Sequence, residues 1–308
     1  MNLSHVIITG PTGVVGRNLI DALLKQDVRV TAVCRPQSPR LGTLPQHPLL
    51  RTVECEIGQL SRLAAVLPPQ DAFFHFAWGG TAGAARNDMA LQMANIQAAL
   101  DAVEAARAFG CRVFIGAGSQ AEYGRVEGVL RPGTPCFPET GYGAAKLSAG
   151  AMTRVLCNTY GIRHNWCRIL SIYGAYDGVH TMVMRVANQL LDGKAPACTR
   201  GEQLWDYLYA KDLARALIAI ARDGKENAVY CPGSGAPRLL RDYILAIRDA
   251  VNPQIVPDFG AVDYYPNQVM HLEADNTALT ADTGFVPQYT FEEGIQETIQ
   301  WMREQRNG

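Results

Sequence analysis

The residues most capable of chemistry in this chain are a tyrosine and a lysine four positions apart, Tyr142-Gly-Ala-Ala-Lys146. On a helix that spacing puts both side chains on one face. A phenol can give or take the proton of a hydroxyl or carbonyl oxygen, and a neighbouring cation lowers its pKa. Spacing alone is weak, because Tyr207-Leu-Tyr-Ala-Lys211 repeats it. Context selects the first: it opens a run of small residues from Gly141 to Gly150 and follows Ser119, which ends an apolar strand. The second lies just before Asp212, at an expected strand-to-helix junction, and is assigned to structure. The hydroxyl of Ser119 is expected to polarise a substrate oxygen beside Tyr142. Gly116-Ala-Gly-Ser119-Gln is not the nucleophile elbow of serine hydrolases, so that chemistry is set aside.

Proton transfer of this kind accompanies hydride transfer at a carbinol or carbonyl carbon, which requires a dinucleotide. Gly10-Pro-Thr12-Gly13-Val14-Val15-Gly16 follows the first apolar run and opens a helix. There the glycines let backbone approach a pyrophosphate at a helix N-terminus. The second strand ends Thr31-Ala-Val-Cys34-Arg35-Pro36, with Cys34 where an acid would hold a ribose 2′-hydroxyl. Arg35 suits a 2′-phosphate, so NADP is expected over NAD.

The elements that must position these residues are visible as alternating patterns. β-Branched apolar runs at 6–9, 28–33, 50–54, 72–77, 112–117 and 164–170 alternate with helical periods at 14–26, 61–67, 88–109 and 141–160. Continuously apolar strands alternating with helices predict an α/β fold, a doubly wound parallel-sheet Rossmann domain with a smaller C-terminal substrate lobe. The dinucleotide domain is expected over 1–171, rejoined by 203–223, and the lobe over 172–308. Beyond Leu170 glycine and proline recur, and 291–303 reads as a closing amphipathic helix.

The 28 basic and 29 acidic residues among 308 are interspersed, so neither nucleic acid nor membrane is an expected partner. Eight cysteines spaced singly read as reduced thiols, and no signal peptide pattern precedes His5, which together suggest a cytoplasmic protein. Six scattered histidines give no metal-ligand spacing, so no metal is expected.

With these residues placed, the chain resembles the extended short-chain dehydrogenase/reductases, the NAD-dependent epimerase/dehydratase group acting on nucleotide sugars. The resemblance spans nearly the whole length. It adds Glu56-Ile57, Phe74-His-Phe76-Ala77, Asn95, Gly118-Ser119-Gln-Ala-Glu-Tyr123-Gly124, Arg168-Ile169-Leu-Ser-Ile172-Tyr-Gly174 and Trp205-Asp-Tyr-Leu-Tyr-Ala-Lys-Asp212. Ala274-Asp275, Gly284-Phe-Val-Pro287 and Phe291-Glu-Glu-Gly294 follow in order.

The resemblance implies that Glu56, Ile57, Phe76, Ala77, Trp78, Asn95, Ala117, Ile169 and Ile172 join the glycine turn around the cofactor. Lys146 would bond the nicotinamide ribose and lower the pKa of Tyr142, while Ser119 and Tyr142 contact the oxygen at sugar C4. Gln120, Glu122 and Ser171, with Trp78, Trp205 and Tyr265, are the implied substrate contacts. A homodimer through a four-helix bundle of 88–109 and 141–160 is also implied.

Three positions depart from the family pattern. Trp205 stands where an Arg is usual, Tyr265-Pro-Asn-Gln268 replaces Arg-Pro-Gly-Asp, and Ser171 replaces a frequent Asn. The arginines commonly hold the nucleotide diphosphate. Here Arg185, Lys194, Arg200 or Arg238 would have to serve. The expected reaction is reduction of a 4-keto nucleotide sugar, with 4-epimerisation on bound NAD as the alternative. Gln120-Ala121 replaces the Asp-Glu pair of the dehydratases. A cofactor-binding regulator without activity is the alternative of another class.

Overall fold

The computed structural model describes residues 1–266 and 268–307; Asn267 of the Tyr265–Gln268 segment and Gly308 lie outside the described residues. Its centre is a seven-stranded parallel sheet. In chain order the first half contains β1 (His5–Thr9), α1 (Val14–Leu24), β2 (Arg29–Cys34), β3 (Leu50–Glu54), β4 (Ala72–His75), α2 (Met89–Ala108), β5 (Val113–Ser119), the short β6 (Val129–Leu130), α3 (Gly141–Tyr160) and β7 (Arg163–Ile169). The second half contains β8 (Ser171–Tyr173), α4 (Met182–Leu191), β9 (Ala197–Cys198), β10 (Leu204–Trp205), β11 (Tyr207–Tyr209), α5 (Ala210–Asp223), β12 (Val229–Tyr230), β13 (Arg238–Leu239), α6 (Leu240–Val251), β14 (Asp258–Phe259), β15 (His271–Ala274), α7 (Thr277–Thr283) and α8 (Phe291–Asn307).

The sheet order is β12-β7-β5-β4-β1-β2-β3, which reverses direction between β1 and β4. Strand periodicity explains why both faces are covered. Val6 and Ile8 of β1, Ala72 and Phe74 of β4, and Val113 and Ile115 of β5 pack into one core with α1 and α5. Their alternates Ile7, Phe73 and Phe114 pack into a second core against α2. All nine are fully buried, and burying one such large apolar side chain contributes about 1.5–3 kcal/mol. That two-sided burial removes the polar alternation of a half-exposed sheet.

The 203–223 stretch returns to this body: Leu208, Leu213 and Leu217 join the first core. A separate apolar core of Val183, Val186, Tyr243, Ile247, Phe291 and Ile299 gathers α4, α6 and α8. The helical period at 61–67 becomes a 3-10 helix from Ile57 to Ala65, of which only Leu60 is buried.

A parallel sheet leaves its ligand crevice at the carboxyl ends of the strands flanking the reversal. The Gly10 turn follows β1, Phe76 to Trp78 follow β4, and Ser119 ends β5. All three segments therefore lie along that edge.

Candidate active site

The glycine turn is shaped by close backbone approach. Gly10 has φ +69°, and a Cβ there would stand 2.7 Å from the Ala77 nitrogen, while a Cβ on Gly16 would collide with the Gly10 carbonyl. Gly13 differs: only the Gly10 oxygen, 3.7 Å away, lies near its virtual Cβ. Nothing within the protein demands glycine there, so the open side suits an outside group. Gly13 is the N-cap of α1, and no side chain among the described residues caps that helix. A pyrophosphate fits this arrangement, because the first-turn N–H groups and the positive helix end face the open side. Thr12, Val14 and Val15 are half-exposed along the turn.

Phe76 is tied to the turn by its N–H, which donates to the Thr9 carbonyl at 3.1 Å. Cys34 is buried and its thiol is pushed up by burial, whereas Arg35 beyond it is exposed. Glu56 is exposed at the start of the 3-10 helix, and Ile57 packs onto the second core. Ile169 and Ile172 face the first core. Asn95 holds the backbone after β4: its amide accepts from Gly79 N–H and donates to Gly79 O, both at 2.9 Å.

Tyr142 and Lys146 stand on the first turns of α3, where Thr140 caps the helix by accepting from Gly143 N–H at 3.1 Å. Such a cap stabilises a helix by about 1 kcal/mol. Lys146 is 4% exposed. Its ammonium donates to the Ala117 carbonyl at 2.7 Å and lies 3.7 Å from the centre of the Trp78 ring. Burial lowers its pKa to about 7 against the opposing field of Glu122. Trp78 meets Tyr142 edge-on, with ring centres 6.2 Å apart.

The Tyr142 phenol is raised above its ordinary pKa by burial, opposed first by the nearby Ser119 hydroxyl and then by the charge of Arg86. Lys146 was expected to be the cation that lowers it. In this structure its ammonium is drawn to Ala117 and Trp78, 5.8 Å from the Tyr142 ring centre, and the guanidinium of Arg86 sits closer, at 4.6 Å.

Beneath Ser119 the chain turns into a short 3-10 helix, Gln120–Glu122, closed by a capping box. Glu122 was expected to reach substrate and is instead fully buried. Its carboxylate accepts from Ser119 N–H at 2.8 Å, Trp166 Nε1 at 3.0 Å and Arg168 Nε at 2.7 Å. Three donors compensate a desolvated charge that would otherwise be costly to bury. Gly116, Gly118 and Gly150 make room for the Trp166 ring, because a Cβ on any of them would strike it. The run of small residues on α3 thus admits an indole between helix and strand. Gln120 stays half-exposed beside Ser119.

On the lobe side, Trp205 Nε1 donates to Ser171 Oγ at 2.8 Å, so two of the departing positions bond each other. Tyr265 is 78% exposed. Arg238 is already paired with Glu292 at 2.5 Å. The second Tyr/Lys spacing spans a strand end and a helix start: Tyr207 lies on β11 and Lys211 on α5, where it pairs with Glu297 at 2.5 Å. Among the described residues no cluster of three or more His, Cys, Asp or Glu side chains is placed to hold a metal, and no helix is long and apolar enough to cross a membrane. All eight cysteines are free thiols.

Sequence reasoning missed Arg86, Gln92, Trp166 and Arg168 as parts of this site. Gln92 accepts from Trp78 Nε1 at 3.0 Å and donates to the carbonyls of Gly80 and Ala85 at 3.0 and 3.1 Å. A buried polar residue on an otherwise apolar helix face was the only available signal.

The chain has relatives among known proteins. A family model described as the NAD dependent epimerase/dehydratase family matches residues 6–231. A dTDP-glucose 4,6-dehydratase of Shigella flexneri is 30% identical over 54% of this chain, and the match spans 48% of that protein, about half its length. The CDP-abequose synthase of Salmonella typhimurium is 23% identical over 96% of this chain and 97% of its own. Among solved structures, a UDP-N-acetylglucosamine 4-epimerase from Methanobrevibacter ruminantium, in complex with UDP-N-acetylmuramic acid, superimposes with a TM-score of 0.89. It is 24% identical and covers 99% of this chain and 100% of its own. A UDP-glucose 4-epimerase from Thermus thermophilus, solved in complex with NAD, superimposes at 0.84 with 21% identity, covering 97% of this chain and 99% of its own. With that family match over most of its length, the chain belongs to the NAD-dependent epimerase/dehydratase family.

Proposed function

We propose that this chain is an NAD(P)-dependent oxidoreductase that reduces the 4-keto group of a nucleotide-activated sugar, with Tyr142 as general acid. The observation that carries the reading is the Ser119 hydroxyl beside the phenol of Tyr142, at the sheet edge that also carries the glycine turn. The reduced nicotinamide supplies the hydride when bound. Tyr142 gives its proton to the substrate oxygen, and Ser119 donates to the same oxygen and orients it. Lys146, one helical turn from Tyr142 on α3, would hold the nicotinamide ribose. Trp78 packs edge-on against the Tyr142 ring and helps to fix its place.

The likeness to a CDP-abequose synthase over nearly the full length of both chains supports action on a nucleotide sugar. Exposed Arg35 next to buried Cys34 supports NADP as the preferred dinucleotide. A second reading, 4-epimerisation with retained NAD, is favoured by the epimerase superposition, whose TM-score is 0.89. An inactive regulator fits less well, because Ser119, Tyr142 and Lys146 are all present. A second copy of the chain is the proposed partner, through α2 and α3: Met89, Met93 and Val155 are 59%, 64% and 63% exposed on these two helices. Free thiols throughout accord with a reducing, cytoplasmic compartment.

The test is release of bound nucleotide by denaturation, followed by titration with NADPH and NADH and turnover of a nucleotide-linked 4-keto sugar. Protein purified empty, binding NADPH more tightly and oxidising it with the keto sugar, supports reduction. NAD retained through dialysis, with interconversion of 4-epimers and no net cofactor consumption, replaces it with the epimerase.

A further inference from the structure

The segment between Trp78 and α2 brings a permanent cation onto the proposed acid. Arg86 lies in a short 3-10 turn, Gly83–Asn87, and its guanidinium carbon stands 4.6 Å from the centre of the Tyr142 ring. A cation over an aromatic face is attracted by the ring's quadrupole, more strongly when the pair is withdrawn from water. Attraction to the ionised ring is greater still, because a full negative charge is added.

The arrangement is fixed on both sides. Asn87 accepts from the Gly141 N–H at 2.9 Å, linking the residue after Arg86 to the residue before Tyr142. A Cβ on Gly141 would stand 2.9 Å from Met89 Sδ and 3.1 Å from the Arg86 carbonyl, so the loop packs tightly against the start of α3. Gln92 and Asn95, both buried, anchor the loop by bonding the backbone of Gly79, Gly80 and Ala85. Arg86 Nη1 donates to the Thr81 carbonyl at 3.1 Å, which holds its side chain back over the loop.

The groups facing the phenol are Arg86 from the loop, Ser119 and Glu122 from the end of β5, and Lys146 from α3. Glu122 disfavours the phenolate. Lys146 is engaged elsewhere, and it is a group that can lose its proton, whereas a guanidinium stays charged. We infer that Arg86 is a positioning residue for the reaction: it holds the Tyr142 ring and supplies the non-titrating charge that favours its ionised form. This rests on Tyr142 being the proton donor, whose acidity the loop would then set.

The test uses the full chain with 3,5-difluorotyrosine at position 142, a side chain that ionises in a lower and more accessible pH range. Fluorine NMR follows its titration in the otherwise unchanged protein and in Arg86→Met, Arg86→Gln and Arg86→Lys, with binding of whichever dinucleotide the natural protein takes as the check of folding. Arg86→Met and Arg86→Gln are expected to make the phenol about three- to tenfold less acidic, the range of a partly desolvated cation–ring contact. Arg86→Lys should restore most of that acidity. Unshifted titration in Arg86→Met, or equal shifts in the Met and Lys variants, would overturn the inference and leave the role of Tyr142 intact. The acid reading fails separately, if Tyr142→Phe keeps full turnover.

Discussion

The two sides of the proposed cleft are built in opposite ways. Under Ser119, a fully buried carboxylate, a buried guanidinium and an indole are interlocked through strands of seven residues, β5 and β7, and a twenty-residue helix. Across from them, Ser171 and Trp205 meet through one hydrogen bond between strands of three and two residues, and Tyr265 stands in the solvent. Under the proposed function, the contrast separates the part that would perform the reaction from the part that would select the molecule. Proton transfer tolerates little displacement, and on that reading its groups sit on long elements, with the buried charge of Glu122 compensated by three donors. Selection is left to short pieces that a few substitutions can reshape.

The largest expected break of this contrast is Glu122→Ala. Removing the carboxylate leaves Arg168 buried without its ion partner, which costs about 3–5 kcal/mol for a pair of this kind. Urea unfolding should show that loss, with Glu122→Gln falling between the variant and the natural protein. A loss below about 1 kcal/mol would mean that the floor under Ser119 is no more rigid than the lobe side.

Lys146→Met sharpens the comparison through pH. The folded-state pKa of Lys146, about 7, lies below the ordinary value of about 10.4, so between those values the unfolded chain binds the proton more readily. Stability from this group therefore rises as pH climbs from 7 towards 10, and its burial penalty is fully present below 7. The methionine variant should gain most over the natural protein at pH 6, and the gain should shrink by pH 9.5. A gain independent of pH would contradict the buried-lysine account.

The smallest effect belongs to the lobe. Trp205→Phe removes the bond to Ser171, worth about 0.5–1.5 kcal/mol, and should alter KM for the sugar nucleotide while leaving kcat nearly unchanged. An equal fall in kcat and kcat/KM would move Trp205 to the reacting side.

How much of this was legible in the sequence follows the same division. Strand β3 and helix α3 have the boundaries that their residue patterns predict, the helix being bounded by Gly141 and Gly161, because regular elements announce themselves locally. The glycine turn and Tyr142/Lys146 could be read from spacing plus context. Glu122 could not, since an acid at a strand end looks solvated until Arg168 and Trp166, more than forty residues later, are folded over it. Arg86 was hidden for the same reason: its partner lies on another element and no periodicity joins them. The pattern at 61–67 marked a helix, but with only Leu60 buried the segment from Ile57 winds as 3-10 turns instead.

The most direct test of the central claim is Tyr142→Phe in the full chain, measuring dinucleotide binding and turnover of a nucleotide-linked 4-keto sugar on the same preparation. The account predicts binding within about threefold of the natural protein and turnover reduced by about 10²–10⁴, the usual contribution of a positioned general acid. Turnover retained at full rate with the phenol gone would contradict it.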